Sequence, residues 1–394
     1  MVAMEGRINK NASRRPAIGF LFVGGLHQML HIAPVAAELL RRGELTVRGF
    51  VYDRADASAL RGLTPGLAID IVLLPVPFWA KPWRMVSRNA PLKLPCLVSA
   101  RRRLGEMDIL VAAERTSTIL KRLPGRKPFM VHIPHGAGDR AQGFEARIRL
   151  FDHVIVAGPK DRARMIAENL VRSEDCSISG YIKLDTVQAR GRSRTPLFTN
   201  GRPTVLYNPH FARKLSSWDA FGRVLISAFR QHDEFNLIVA PHVRLAERLS
   251  DHEQATIRAM AVEGRIIIDL GSPRSSDMTY TLGADIYVGD VSSQVYEFLS
   301  EPRPCVFLNP GVRKWQDNPD YAFWHFGAVV SDPLQAFRAI AAAAGHHPHY
   351  IARQVAAVSA AFGPEGSAVA RAADILAALA RQRVAEPTDH LNRS

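Results

Sequence analysis

The sequence predicts an α/β fold of two doubly wound parallel sheets, and three observations lead to that class. Short apolar strands alternate with helical stretches along most of the chain, the rhythm of βαβ units. A breaker-rich run at 188–203, Gln-Ala-Arg-Gly-Arg-Ser-Arg-Thr-Pro-Leu-Phe-Thr-Asn-Gly-Arg-Pro, interrupts the rhythm, which then restarts. The chain is also long for one core: its 394 residues are 47% apolar, enough to fill two.

Residues 1–16 are polar and basic without periodicity, and a disordered tail is expected there. Ile18 to Val23 reads as a buried strand, followed by Gly24-Gly25. A helix face of Leu30, Ile32, Val35, Ala36, Leu39 and Leu40 then stops at Gly43, and a second strand, Val47 to Tyr52, ends at Asp53. A glycine pair is short of the full dinucleotide fingerprint. It marks a Rossmann-like start, with Gly24, Gly25 and His27, together with Gly136 and Asp139 further on, expected on the acceptor side.

Further strands are expected at 69–74, 108–112, 129–133, 153–156 and 177–179. They complete an N-terminal unit at 17–187. After the linker, strands at 205–207, 237–240, 266–270, 286–288 and 306–308 form a C-terminal unit at 204–345. Residues 346–394 are read as helices and a tail, with 351–381 packing back across the first unit. Two such halves facing a cleft make the GT-B architecture, common among transferases of nucleotide-activated groups.

Composition narrows the setting. The three cysteines, Cys96, Cys176 and Cys305, are far apart. They form neither a metal cluster nor a disulfide framework, which points to a reducing compartment. No apolar run reaches bilayer length and no signal-peptide core is present. The expectation is a cytoplasmic protein, with peripheral contact at the inner face of the membrane left open.

The formal charge is +14, partly local. Lys81, Arg84, Arg88, Lys93, Arg101, Arg102 and Arg103 fall in 81–103 with no acidic residue, among Phe78, Trp79, Trp83, Met85, Leu92, Leu94 and Leu97. Such a surface suits an anionic membrane or polymer. A solvated basic loop accounts for it equally. No recognition motif supports nucleic acid, which is not expected as a partner.

The chemistry concentrates at strand ends. Ile286 to Val288, a turn at Gly289-Asp290, and a helix opening at Ser292-Ser293 precede another strand, Cys305 to Leu308. Ligands of open parallel sheets lie beyond the carboxyl ends of the strands. Helix-start N–H groups beside two hydroxyls suit a phosphate oxygen, although capping alone explains the same residues. Three other strand ends carry histidine: His132 to Arg140, which includes His135, Gly136 and Asp139; Asn208 to Lys214, with His210 and Arg213; and Ala240 to Arg244, with His242.

Imidazole suits proton abstraction from an acceptor hydroxyl near neutral pH. His242, Arg244, Arg213, Lys214 and the two serines could hold a diphosphate leaving group. A hydrogen-bonded histidine at a strand end is the plain alternative for each. No Asp-x-Asp motif lies near these strands, so neither a metal nor another cofactor is expected, with Asp139 and Asp290 keeping the metal question open.

His135-Gly136 after a strand, Ala157-Gly158-Pro159 before a helix, Gly180 followed by Asp185, and Asp290-Val291-Ser292-Ser293 with Glu297-Phe298 downstream together resemble the CDP-glycerol glycerophosphotransferases, the teichoic-acid-type polyol-phosphate transferases. The resemblance spans about residues 125–310. It implies His135 as general base and His242 on the donor phosphates. It also implies Ser292 and Ser293 holding phosphate, Glu297 on the donor side, and Asp290 orienting the turn. The implied partners are a nucleotide-activated donor such as CDP-glycerol and a polymer or lipid-linked acceptor.

The chain departs from the family pattern at Pro209-His210, at Pro241 before His242, and after Gly136. A nucleotide sugar therefore stands as the alternative donor. A UDP-N-acetylhexosamine 2-epimerase is the enzyme rival; it would need several cleft carboxylates with a histidine, and having only Asp139, Asp290 and Glu297 as candidates argues against it. A membrane-tethered anion-binding protein is the non-catalytic one.

Overall fold

A computed structural model describes residues 14–80, 93–136, 138–139, 143–191 and 194–385. Most of the basic 81–103 stretch, nearly all of the N-terminal tail, part of the linker and the last nine residues lie outside them. In the first half, β1 (Ala17–Phe22), β2 (Thr46–Val51), β3 (Asp70–Leu73), β4 (Ile109–Ala112), β5 (Phe129–His132), β6 (His153–Val156) and β7 (Cys176–Ile178) form a sheet of order β3-β2-β1-β4-β5-β6-β7. In the second, β8 (Thr204–Asn208), β9 (Asn236–Val239), β10 (Ile266–Ile268), β11 (Ile286–Gly289), β12 (Cys305–Leu308) and β13 (Ala328–Val330) run in the order β10-β9-β8-β11-β12-β13.

All these pairings are parallel. The central strands read as unbroken apolar runs because helices cover both faces; every residue of β4, β11 and β12 is buried. The chain is thus two doubly wound halves of the GT-B type, as its rhythm predicts. β13 is the strand that the pattern does not show. Ala-Val-Val is too short and too close to the helical tail to register.

Strand order reverses between β1 and β4 in one sheet and between β8 and β11 in the other, and the crevice of a doubly wound sheet opens at such a reversal. The turns that follow β4, β5, β8 and β11 therefore face one another. The end of the chain holds the halves in this relation. The helix Ala368–Ala385 lays Ala372, Ala373, Leu376, Ala377 and Ala380 into the first-half core, which also contains the buried face of the helix Leu26–Arg42. Ahead of it, the helix Ile351–Phe362 spans both halves. Gln354 in its first turn donates to the carbonyls of Arg303 (2.9 Å) and Phe326 (2.8 Å) in the second half. Its last turn rests on Gly158 of the first.

Among the described residues no helix is long and apolar enough to cross a membrane. The visible part of the basic stretch includes two short helices, Lys93–Ser99 and Arg101–Gly105, with Arg102 and Arg103 exposed.

The contact at Gly158 is tight. A Cβ there would stand 2.4 Å from the carbonyl oxygens of both Ala360 and Ala361, and a backbone cannot yield as a side-chain tip can. Gly158→Ala is expected to lower stability by about 1–3 kcal/mol, read as a lower urea midpoint. An unchanged midpoint would show that the crossing helix is not clamped at this point.

Candidate functional site

A cleft of about 490 Å³ opens between the halves, and both contribute its lining. The first half supplies His27 from the first turn of its long helix, His132 and His135 from the end of β5, Gly136 and Asp139. The second supplies His210 after β8, His242 after β9, Ser292 and Ser293 after β11, and Glu297. The two walls meet closely. A Cβ at Gly136 would lie 3.2 Å from Ser293 Oγ, and one at Gly138 only 2.7 Å from Ser293 Cβ. Gly136 also has φ +87°, a region that disfavours other residues. Gly136 and Gly138 can approach the serine corner because neither carries a side chain.

Backbone partners set opposite tautomers on the two walls. His135 Nδ1 lies 2.9 Å from the Ala113 carbonyl, and His132 Nδ1 lies 2.9 Å from the Ala112 carbonyl. A carbonyl only accepts, so each Nδ1 carries the proton and each neutral ring keeps a lone pair on Nε2. Across the cleft, Nδ1 of His210 accepts from the Ala212 N–H (3.0 Å) and Nδ1 of His242 from the Arg244 N–H (3.2 Å). In those rings Nε2 holds the proton. One wall presents an imidazole base and the other presents imidazole donors.

Enclosure lowers the pKa of His27, His132, His135 and His242 below the ordinary imidazole range. His27 and His135 are open to solvent at the cleft surface yet walled by protein around them. Burial, followed by the nearby His135 and His242, pushes His27 down to about 3. Burial pushes His242 down to about 4, with Arg244 adding to it. His135 is lowered by burial, opposed by its bond to the Ala113 carbonyl. The ring pairs are close, with centroids 5.5 Å apart for His27 and His135 and 5.9 Å for His210 and His242.

The other predicted residues separate into two groups. Asp290 is 1% exposed and does not line the cleft. Its carboxylate accepts from the His210 N–H (2.9 Å), the Ser217 N–H (2.6 Å), Ser217 Oγ (2.9 Å) and the Val291 N–H (2.6 Å), while its carbonyl accepts from Trp324 Nε1 (2.5 Å). It orients the corner and is out of a ligand's reach. Gly24 and Gly25 stop short of the lining; Gly25 supplies the left-handed turn (φ +86°) that starts the helix bearing His27.

Arg213, Lys214 and Arg244, expected on the donor phosphates, are instead directed outward. Arg213 is 80% exposed and 3.4 Å from Asp219, Lys214 is exposed, and Arg244 lies over the Phe211 ring at 4.4 Å. The helix after the serines has only five residues, Gln294–Phe298, so its macrodipole adds little. Hydroxyls and imidazole N–H groups remain as the donors on that wall.

Two buried ties cross the cleft floor. Glu297 accepts from Tyr181 Oη (2.8 Å) and Lys183 Nζ (2.6 Å) of the first half. Asp139 accepts from Lys160 Nζ (2.5 Å) and from Tyr296 Oη (2.7 Å) of the second. Both Asp139 oxygens are therefore engaged. The sequence reading did not select His31, Arg115, His132, Asp161, Lys183 or the Gly271-Ser272-Pro273 turn, all on the lining. The turn after β10 follows the same strand-end rule as the histidine loops and could have been found by it. Among the described residues no group of three or more His, Cys, Asp or Glu is arranged to hold a metal ion.

No family model matches this sequence, and no curated protein matches it either. Solved structures share its fold. A candidate UDP-N-acetylglucosamine 2-epimerase from Listeria monocytogenes superposes with TM-score 0.66 at 11% identity, over 95% of this chain and 99% of that one. S. aureus MnaA in complex with UDP gives 0.62 at 12% identity, over 95% and 100%. A variant of the wall teichoic acid polymerase TagF soaked with CDPG gives 0.63 at 13% identity, over 94% and 89%. At these identities the likeness is one of architecture.

Lys183 and Glu297 are 4% and 5% exposed, so removing one partner strands the other charge. Lys183→Met is expected to cost about 3–5 kcal/mol in urea unfolding, with part of it recovered in the double variant with Glu297→Leu. Equal losses in the single and double variants would mean that the two side chains are not coupled.

Proposed function

We propose that the chain is a transferase acting on a nucleotide-activated donor. In this reading it moves glycerol phosphate, or a related polyol phosphate, from a CDP-linked donor to a hydroxyl of a surface-polymer or lipid-linked acceptor in the cytoplasm. The observation that carries the reading is the opposed tautomers. A lone pair on His135 Nε2 faces a wall whose Nε2–H groups and serine hydroxyls can only improve a phosphate leaving group. The solved structures with bound UDP and with CDPG give the same architecture a nucleotide ligand, which supports the donor class.

The acceptor hydroxyl gives its proton to His135 Nε2 as its oxygen attacks the phosphorus that bears glycerol. The bond from that phosphorus to the bridging oxygen breaks, and CMP leaves with the electron pair. His210, His242, Ser292 and Ser293 donate to the phosphate oxygens as their charge grows. Asp290 keeps the His210 loop and the serine corner in register.

A second reading, a nucleotide-sugar 2-epimerase, is favoured by one observation: Glu297 Oε2 is a buried oxygen on the cleft lining that accepts no hydrogen bond. Incubation with UDP-N-acetylglucosamine in D2O separates the two readings. Deuterium at C2 with no transfer to an added acceptor would select the epimerase.

Three outcomes are expected for the transferase. In a thermal-shift panel of CDP-glycerol, CDP-ribitol, UDP-sugars, CMP and UMP, the cytidine compounds raise the melting temperature most; preference for uridine would overturn the CDP assignment. His135→Ala lowers turnover about a hundredfold or more while the circular dichroism spectrum and the nucleotide-dependent shift persist. Retained turnover removes the base. Because burial lowers His135 below the ordinary imidazole value of 6.5, it stays unprotonated as pH falls to that value. The acid limb of kcat/KM should therefore have its midpoint below 6.5, and a midpoint above it would contradict an enclosed base.

A further inference from the structure

Two acceptor atoms on the first-half wall lack a hydrogen bond. His132 Nε2 and Asp161 Oδ1 are buried polar atoms that accept no hydrogen bond, and both residues line the cleft on the first-half wall. His132 is 1% exposed, with its Nδ1–H given to the Ala112 carbonyl and its ring stacked on Phe151 at 4.6 Å. The ring is fixed with its Nε2 lone pair unused. Burial pushes His132 down to about 3, so it stays neutral and keeps that lone pair. Asp161 is 5% exposed, and its Oδ1 lies 3.5 Å from Lys160 Nζ, an ammonium already bonded to Asp139 at 2.5 Å.

Buried polar atoms are costly unless partnered, and these two call for a partner that donates. A phosphate would bring further acceptors against them. An ammonium would sit beside Lys160, which is 3.5 Å from Asp161, and near Arg115 on the lining (itself 3.3 Å from Glu145). A neutral hydroxyl group meets neither objection. Phe144 and Met165 add apolar surface to the same lining, and a polyol or sugar has C–H groups to place on it.

We infer that His132 and Asp161 form a hydroxyl-reading subsite that receives a neutral polyol or sugar unit of the acceptor, next to His135 and across from the serine corner. The inference rests on the transferase reading for the identity of the ligand as acceptor, and the subsite itself can be tested apart from it.

The test is ligand-observed saturation-transfer NMR on the full chain with glycerol, ribitol, glucose and N-acetylglucosamine, with inorganic phosphate and ethanolamine as controls. At least one neutral compound is expected to receive saturation, and the sugar and polyol arms show which skeleton fits. His132→Phe keeps the stack on Phe151 and deletes Nε2; Asp161→Leu deletes the open oxygen at similar volume. Each is expected to weaken the neutral compound at least about tenfold. The thermal shift given by CMP or UMP should be unchanged in both, which also shows that they fold. Binding of phosphate alone, no binding of any neutral compound, or binding that neither variant weakens would overturn the subsite. If a neutral compound binds as described while no nucleotide stabilises the chain, the transferase reading fails and the subsite stands.

Discussion

The second half depends on one buried carboxylate. Among the described residues Asp290 makes no salt bridge; it is held by N–H and O–H donors that come from after β8, from the Ser217 turn and from its own corner. Burial alone pushes its acid upward, and those donors oppose the push. Such a group is tolerated only while all its partners are in place. It therefore fixes three otherwise independent turns against one another. The His210 loop and Ser292-Ser293 share a face because both are built around the same anion.

The chemistry of the two walls then follows from the direction of the backbone. On the first half, the carbonyls of Ala112 at the end of β4 and Ala113 just beyond it point at His132 and His135 and take the proton of Nδ1. On the second, the turns after β8 and β9 present N–H groups to His210 and His242. The same side chain becomes an acceptor on one side and a donor on the other. No charged residue is needed for this division. Arg213, Lys214 and Arg244, which face outward, take no part in setting it.

Most of the fold was legible in the sequence, because a parallel sheet covered on both faces leaves dense apolar runs punctuated by turns. The runs around Ile109, Val154 and Val288 could hardly belong to anything else. The histidine loops and the Asp290-Ser292-Ser293 corner were legible for a related reason, since strand ends of one sheet type face one cleft. What could not be read was direction. Arg213 and Lys214 follow His210 within a few residues, but the loop turns them to solvent, and only the Asp290 hydrogen bonds reveal that turn. His132 and Asp161 were hidden differently. One looks like the last residue of a buried strand and the other like an acidic helix start, and only the buried atoms without a hydrogen bond, His132 Nε2 and Asp161 Oδ1, set them apart.

The short helix Gln294–Phe298 joins these parts. Its N-terminal side carries the serines, while Tyr296 and Glu297 reach across to Asp139, Lys183 and Tyr181. Lys160 also lies 4.4 Å from the centroid of the Tyr296 ring, and Arg164 pairs with Asp320 across the same boundary (3.2 Å). A five-residue helix cannot bend to let its two ends move separately. The position of the serine hydroxyls is therefore set jointly by the Asp290 corner and by the first half. Displacing Ser293 strains these buried ties, and separating the halves withdraws the serines from His135. Site geometry and the relative placement of the halves are in this way a single quantity.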